Sequence, residues 1–224
     1  MTEERVPRSF FRRNALSLVA FTLLVFALLG HALTGHRFSN EQRAEHDQPP
    51  QAMSEYLRSG EYLSTLLENW ESEFLQMGLF VLLTVKLRQR GSAESRPFSK
   101  AQEEKKKEKF PEEAKPWPVR RGGMALALYR HSLSIALLGL FVMTFVGHFC
   151  SSWRQHVDEQ LLHGEAPSPL REYFFNAEFW YQSFQNWQSE FLAVLALVLL
   201  SIWLREDNSP QSKQCDAPHS HTGH

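Results

Sequence analysis

Two apolar stretches decide the fold of this chain: residues 16–33 read LSLVAFTLLVFALLGHAL, and residues 133–150 read LSIALLGLFVMTFVGHFC. Neither stretch contains an acidic residue, a lysine or an arginine. A run of about 18 or more apolar residues is long enough to cross a hydrocarbon core of about 30 Å as a helix. The two stretches therefore predict membrane-spanning helices, although the mean hydropathy of the whole chain is negative.

The two stretches belong to an internal duplication. Residues 14–95 recur without a gap as residues 131–212, and equivalent residues lie 117 positions apart, as His31 and His148 do. The motif Asn-Trp-x-Ser-Glu-Phe-Leu of residues 69–75 returns in this way at residues 186–192. An ungapped repeat of this length predicts two copies of one structural unit.

Each copy contains a second uncharged run, residues 74–85 and residues 191–204. These runs reach membrane-spanning length if their helices begin upstream, near Asn69 and Asn186. We therefore predict an all-α membrane protein with four transmembrane helices, built as two tandem two-helix repeats of parallel orientation. Short interfacial helices are predicted in the outer loops, where apolar and aromatic residues follow a proline at roughly helical spacing.

A cleaved signal peptide is the alternative interpretation of the first apolar stretch, since Arg12 and Arg13 precede it. The copy of that stretch lies in the middle of the chain, where a signal peptide does not act. The duplication therefore favours the membrane-spanning interpretation.

The predicted organisation has five parts. They are a cytoplasmic N-terminus (1–13), repeat 1 (14–95, spans 16–35 and 70–88, outer loop 36–69), a charged cytoplasmic linker (96–130), repeat 2 (131–212, spans 132–152 and 187–205, outer loop 153–186) and a polar tail with histidines (213–224). Lysine and arginine are concentrated in the N-terminus and the linker, whereas acidic residues outnumber basic ones in both outer loops. A Lys/Arg excess marks the cytoplasmic side, so both termini are predicted to be cytoplasmic.

The motif kept in both copies supplies the candidate site. Glu73 and His31 lie at nearly the same count of positions from the inner ends of their spans, Leu87 and Leu16 respectively. At a rise of 1.5 Å per residue, both side chains lie about 21–23 Å from the cytoplasmic edge. The predicted polar cluster at this depth consists of His31, His148, Asn69, Asn186, Ser72, Ser189, Glu73 and Glu190, and Trp70 and Trp187 are predicted to be interface anchors.

The predicted polar cluster of histidines and glutamates has several interpretations. In the first, His–Glu or Asn–Glu hydrogen bonds hold the helices together. In the second, the cluster forms a protonatable pathway or a small-solute site, which intramembrane ionisable residues often mark. Carboxylates that simply meet interfacial water are a third outcome. No metal site is predicted, because no His-x-x-His or Glu-x-x-His spacing is present, although the ligand types of His31, His148, Glu73 and Glu190 would suit zinc or iron.

The sequence lacks the signatures of soluble enzymes and of nucleic-acid-binding folds. We therefore predict a non-enzymatic protein with no cofactor and no nucleic-acid partner. Its predicted partners are the lipid bilayer and either another protein or a second copy of the chain, as a homo-oligomer. Two functional hypotheses follow: a structural or accessory protein that binds a partner, and a small transporter, channel or proton-coupled module that uses the histidines and glutamates.

Four segments carry a resemblance to known proteins: Gly30-His31 and residues 55–60 (EYLRSG), 68–77 (ENWESEFLQM) and 87–95 (LRQRGSAES). With these segments the chain resembles, over nearly its whole length, a family of small uncharacterised bacterial four-span membrane proteins, a domain of unknown function. The resemblance implies a location in the bacterial inner membrane and nothing about mechanism. The second copy departs from the fuller motif, with Gln188 in the place of Glu71 and Gln185 in the place of Glu68. That departure predicts that only Glu73 and Glu190 are required in both copies.

Overall fold

A computed structural model describes residues 9–99 and 110–223, and every regular element within them is helical, which confirms the all-α prediction. The helices are α1 (Phe10–Arg13), α2 (Ala15–Glu45), α3 (Met53–Tyr56), α4 (Gly60–Lys86), α5 (Trp117–Arg121), α6 (Gly123–Arg130), α7 (Ser132–Leu162), α8 (Leu170–Tyr173) and α9 (Ala177–Leu200), with a 3-10 turn at Glu112–Ala114. The first eight residues, the linker core at residues 100–109 and His224 lie outside the described residues.

The helix boundaries follow the 117-residue repeat. Both α2 and α7 are 31 residues long, and they begin and end at equivalent positions. The short helices α3 and α8 are also equivalent, and α4 and α9 begin at the equivalent residues Gly60 and Ala177. The repeated amino-acid sequence therefore produces the same order of helices in each copy.

The long helices extend beyond the predicted spans. Helix α2 continues from the apolar stretch through the polar residues 36–45, which the sequence predicts to lie in the outer loop. Charged residues such as Arg and Glu are good helix formers, so a change from apolar to polar sequence does not end a helix. The helices end instead at a left-handed residue, Asp47 (φ 54°) after α2 and Gly164 (φ 72°) after α7. In each case the backbone amide of the following residue donates a hydrogen bond to the carbonyl oxygen five residues before it, which is the Schellman motif.

Two helices, α2 and α7, are long and apolar enough to cross a membrane. A buried core helix or a signal sequence satisfies the same criterion, so the criterion identifies candidate spans by length and composition. Among the described residues, α4 and α9 do not satisfy it. The predicted spans 70–88 and 187–205 on those two helices stay predictions.

The chain divides into two compact units, with the boundary between Leu63 and Ser64, inside α4. The first unit has a small aromatic core. Tyr56 is buried, with its ring centroid 5.3 Å from that of Tyr62 and 5.7 Å from that of His36. Burial, followed by the charge of Glu61, raises the pKa of Tyr56 to about 12. The imidazole ring of His31 stacks on the ring of Tyr62, with the two ring centroids 5.0 Å apart.

Helix α2 lies close to this aromatic core at Gly35, so a larger residue at that position is expected to destabilise the first unit. A Cβ atom at Gly35 would overlap the Tyr56 hydroxyl, whereas a Cβ atom at Gly30 on the same helix would have no atom within 4 Å. We expect Gly35→Ala to lower the unfolding free energy by about 1–3 kcal/mol through overpacking. The matched control, Gly30→Ala, is expected to be neutral or to stabilise the helix by up to roughly 1 kcal/mol. Thermal unfolding of the purified variants, followed by circular dichroism, checks the difference, and equal stabilities would contradict it.

The second unit is built around α4 after residue 63, α7 and α9. A Cβ atom at Gly147 would lie 2.9 Å from a Leu67 methyl carbon, so α4 and α7 approach closely there. Phe145 and Phe149 of α7 stack edge-to-face against Phe179 of α9, with ring centroids 5.8 and 5.2 Å apart. These close contacts place the faces of α4 and α9 against α7.

The end of the chain packs on the loop that follows α4. Lys213 is buried, and its Nζ lies 2.5–3.4 Å from the backbone carbonyl oxygens of Gly91, Ile202, His219 and His221. The amide of Gly91 donates to Thr222 Oγ1 at 2.9 Å. Gly91 has φ 85°, and a Cβ atom there would lie 2.5 Å from the carbonyl oxygen of His219. The tail predicted as a polar segment is therefore bound, up to residue 223, by the loop of the first copy.

Candidate functional site

Glu71 lies at the centre of a polar network inside the second unit. Its side chain is 0% exposed. One carboxylate oxygen, Oε2, lies 2.7 Å from His148 Nδ1, and the other, Oε1, accepts a hydrogen bond of 3.0 Å from Trp187 Nε1. The three residues belong to α4, α7 and α9. One buried carboxylate therefore joins three helices, and each of its oxygens has a partner.

A second carboxylate lies one turn earlier on α4. Glu68 Oε1 accepts a hydrogen bond of 2.5 Å from Asn186 Nδ2 of α9. Burial is the main cause that raises the pKa of Glu68, while His148 lowers it, Glu71 raises it and the hydrogen bond from Asn186 lowers it. The spacing of three residues places Glu68 and Glu71 on the same face of α4.

His148 is completely enclosed by this network and by an aromatic ring. Its side chain is 0% exposed, and its ring centroid lies 5.1 Å from that of Phe179. An ionised carboxylate can only accept hydrogen bonds, so the contact with Glu71 assigns the Nδ1 hydrogen to His148. The other ring nitrogen, Nε2, has no hydrogen-bond partner among the described residues. A carboxylate that holds one imidazole nitrogen fixes the orientation of the ring, and the other nitrogen then lies at the opposite edge.

The structure brings the predicted cluster together only in part. His148 and Asn186 belong to the network, but their partners are Glu71 and Glu68. The hydroxyls of Ser72 and Ser189 donate to backbone carbonyls three residues earlier in their own helices. The Asn69 side chain likewise donates to the Thr65 carbonyl. These three side chains hydrogen-bond within α4 and α9 and do not join helices.

The two glutamates predicted for the site lie elsewhere. Glu73 is exposed and Glu190 is half-buried. Each lies within electrostatic reach of the other carboxylate. The carboxylate partner of His148, predicted from depth to be Glu73 or Glu190, is Glu71 in the structure. His31 belongs to the first unit, where it stacks on Tyr62.

The two tryptophans predicted as interface anchors differ in their surroundings. Trp187 donates its indole hydrogen to Glu71 and so belongs to the polar network. Trp70, its equivalent in the first copy, is half-buried. The indole of Trp187 therefore has a specific buried acceptor, which an anchor at the lipid headgroups does not need.

Glu68 and Glu71 are the site residues that sequence reasoning misses. The second copy has glutamine at both equivalent positions, and a search for residues kept twice therefore passes over them. A residue of one copy whose partner lies in the other copy is needed only once. Such a residue is missed when the site is sought among residues present in both copies. The signal that points to them is their place in the segment 68–77 that carries the family resemblance.

Metal binding has no ligand set in the part of the chain that the structure describes. Within residues 9–99 and 110–223, no group of three or more His, Cys, Asp or Glu side chains could hold a metal ion. The buried network has two carboxylates and one imidazole, but both carboxylates already accept hydrogen bonds from Asn186 and Trp187. The network therefore consists of hydrogen bonds between helices.

Comparison with known proteins identifies one relationship. A family described as Domain of unknown function (DUF6766) matches residues 7–224. Neither the curated proteins nor the solved structures contain a significant match to the chain. The match confirms the resemblance to a family of unknown function, and the bacterial origin and the four spans stay predictions.

Proposed function

The chain belongs to the family Domain of unknown function (DUF6766), and we propose that it is a multi-pass membrane protein with a structural or accessory role. The observation that carries this role is the Glu71 network, in which one buried carboxylate holds side chains from three helices. Such an arrangement fixes the rotation and the height of each helix, because a buried charge is stable only when its hydrogen bonds are complete. The product is a rigid helical unit.

The surface of the long helices supports the membrane location. On α2, large apolar side chains such as Phe21, Leu23, Phe26 and Leu29 are exposed, and Phe26 is 76% exposed. On α7, Val142, Met143 and Val146 are also exposed. Extended exposed apolar surfaces mark interaction sites, and the apolar stretches of both helices are long enough to cross the hydrocarbon core.

The proposed topology has four spans, with both termini and the linker on the cytoplasmic side of a bacterial inner membrane. Spans one and three correspond to the apolar parts of α2 and α7, and spans two and four to those of α4 and α9. The excess of lysine and arginine in the N-terminus and the linker supports this orientation. The aromatic residues near α8 support a position of the second outer loop at the membrane surface.

Cysteine labelling in intact cells tests the proposed topology. In a background with Cys150→Ser and Cys215→Ser, Ser54→Cys is expected to react with a membrane-impermeant maleimide added from outside. Ser99→Cys is expected to react only after the membrane is permeabilised. Both serines are exposed, so differences in burial do not explain the result. Labelling of Ser99→Cys in intact cells would exclude the proposed topology.

A further inference from the structure

Two buried polar atoms, one on α7 and one on α9, are without a hydrogen-bond partner among the described residues: His148 Nε2 and Ser183 Oγ. The two residues are 0% and 1% exposed. More than nine in ten buried polar groups in proteins are hydrogen-bonded, and the exceptions mark a functional group or a position filled by a small molecule. Each of the two atoms therefore needs an explanation.

The contacts of its neighbours place Ser183 on the face of α9 that packs against α7. Phe179, Ser183 and Trp187 follow one another at intervals of four residues, so they share one face of the helix. Phe179 packs on the His148 ring, and Trp187 bonds to Glu71, the partner of His148. The buried Ser183 lies between these two residues along α9.

The contact with Glu71 fixes the orientation of the imidazole. Because Nδ1 is held by Glu71, Nε2 lies at the opposite edge of the ring, away from that carboxylate. With its hydrogen on Nδ1, a neutral imidazole presents a lone pair at Nε2, which can only accept a hydrogen bond. A serine hydroxyl both donates and accepts. These two groups together are complementary to a molecule that has both a donor and an acceptor.

We propose that His148 Nε2 and Ser183 Oγ form a binding site for one hydrogen-bonding molecule of the size of water. Buried waters typically make two to four hydrogen bonds to otherwise unsatisfied polar groups, which is what these two atoms offer. The neighbouring Phe179 ring limits the site to a small ligand. The site is distinct from the structural role of Glu71 and does not depend on the membrane topology.

Nuclear magnetic resonance of the full chain with isotope-labelled histidine tests the site, because a nuclear Overhauser effect from water to the carbon-bound ring hydrogens beside Nε2 reports water bound there. A His148→Gln variant identifies the resonances. We expect this magnetisation transfer to the His148 ring in the unsubstituted chain and its loss in Ser183→Val, whose larger side chain occupies the site. The Nδ1 hydrogen bond to Glu71 serves as the internal check that α7 and α4 are still in place.

Two further variants separate the loss of one hydrogen bond from a general effect of replacing a buried hydroxyl. Ser183→Ala removes one partner without filling the space, and we expect roughly a two- to tenfold fall in the transfer, the equivalent of one hydrogen bond. Thr144→Val is the matched control, since the buried Thr144 hydroxyl donates to Leu140 and Phe141 carbonyls within α7; it is expected to leave the transfer unchanged. Absence of transfer in the unsubstituted chain, or equal transfer in Ser183→Val, would overturn the proposal.

Discussion

Replacement of Glu71 by alanine is expected to lower the unfolding free energy by about 2–6 kcal/mol, because two buried donors lose their acceptor at about 1–3 kcal/mol each. The substitution leaves His148 Nδ1 and Trp187 Nε1 buried without their acceptor, and it removes one of the polar contacts that join α4 to α7 and α9. Glu71→Gln keeps the volume and one acceptor oxygen, so we expect a smaller loss of about 1–3 kcal/mol.

Glu73→Ala is the matched control for this prediction. The residue is two positions away on the same helix and exposed, so its replacement is expected to change stability by less than about 0.5 kcal/mol. Denaturant unfolding followed by tryptophan fluorescence is the appropriate measurement, because the Trp187 indole bonds directly to Glu71. If Glu73→Ala proved as destabilising as Glu71→Ala, the network would not be the main fastening of these helices.

Replacement of Phe179 by alanine is expected to cost about 3–5 kcal/mol, the usual range for a large aromatic side chain removed from a core. Phe179 is 0% exposed, and its ring lies 5.1 Å from His148 and 5.2 Å from Phe149, centroid to centroid. It also contacts Phe145, Tyr173 and Trp180. The variant therefore opens a cavity where α7 meets α9 and leaves the imidazole of His148 loosely held.

The control for Phe179 is Phe175→Ala, which removes the same side chain from a position that is 78% exposed. We expect the control to change the unfolding free energy by less than about 0.5 kcal/mol. Thermal unfolding of both variants under the same conditions separates core packing from general loss of aromatic surface. Equal losses in the two variants would show that Phe179 is not a core residue.

Most of the helical pattern could be predicted from the sequence, because helix formation depends on local residues. The apolar stretches 16–33 and 133–150 both lie inside 31-residue helices whose bounds follow the repeat. The ends of these helices could not be predicted from hydropathy, since Asp47 and Gly164 end them by adopting left-handed backbone angles after a polar extension. The binding of the tail by the loop at Gly91 could not be predicted either, because that contact joins residues more than a hundred positions apart.

The partner of His148 could not be predicted from the sequence. Counting residues from the end of a span gives the height of a side chain, and by height Glu71 and Glu73 differ by only about 3 Å. Two residues along a helix correspond to a rotation of about 200°, so the two glutamates point in nearly opposite directions. Rotation is decided by the helices packed alongside, and these helices belong to the other copy of the repeat.

The duplication and the two apolar helices of membrane-spanning length follow from the order of the residues alone, because composition and period are local properties. The identity of the carboxylate buried against His148 does not follow from that order. It is Glu71, a residue that the second copy replaces with Gln188, and the packing of three helices selects it. Burying a charge is costly, so one carboxylate is stable between these helices only with complete hydrogen bonds, and its partners come from distant parts of the chain.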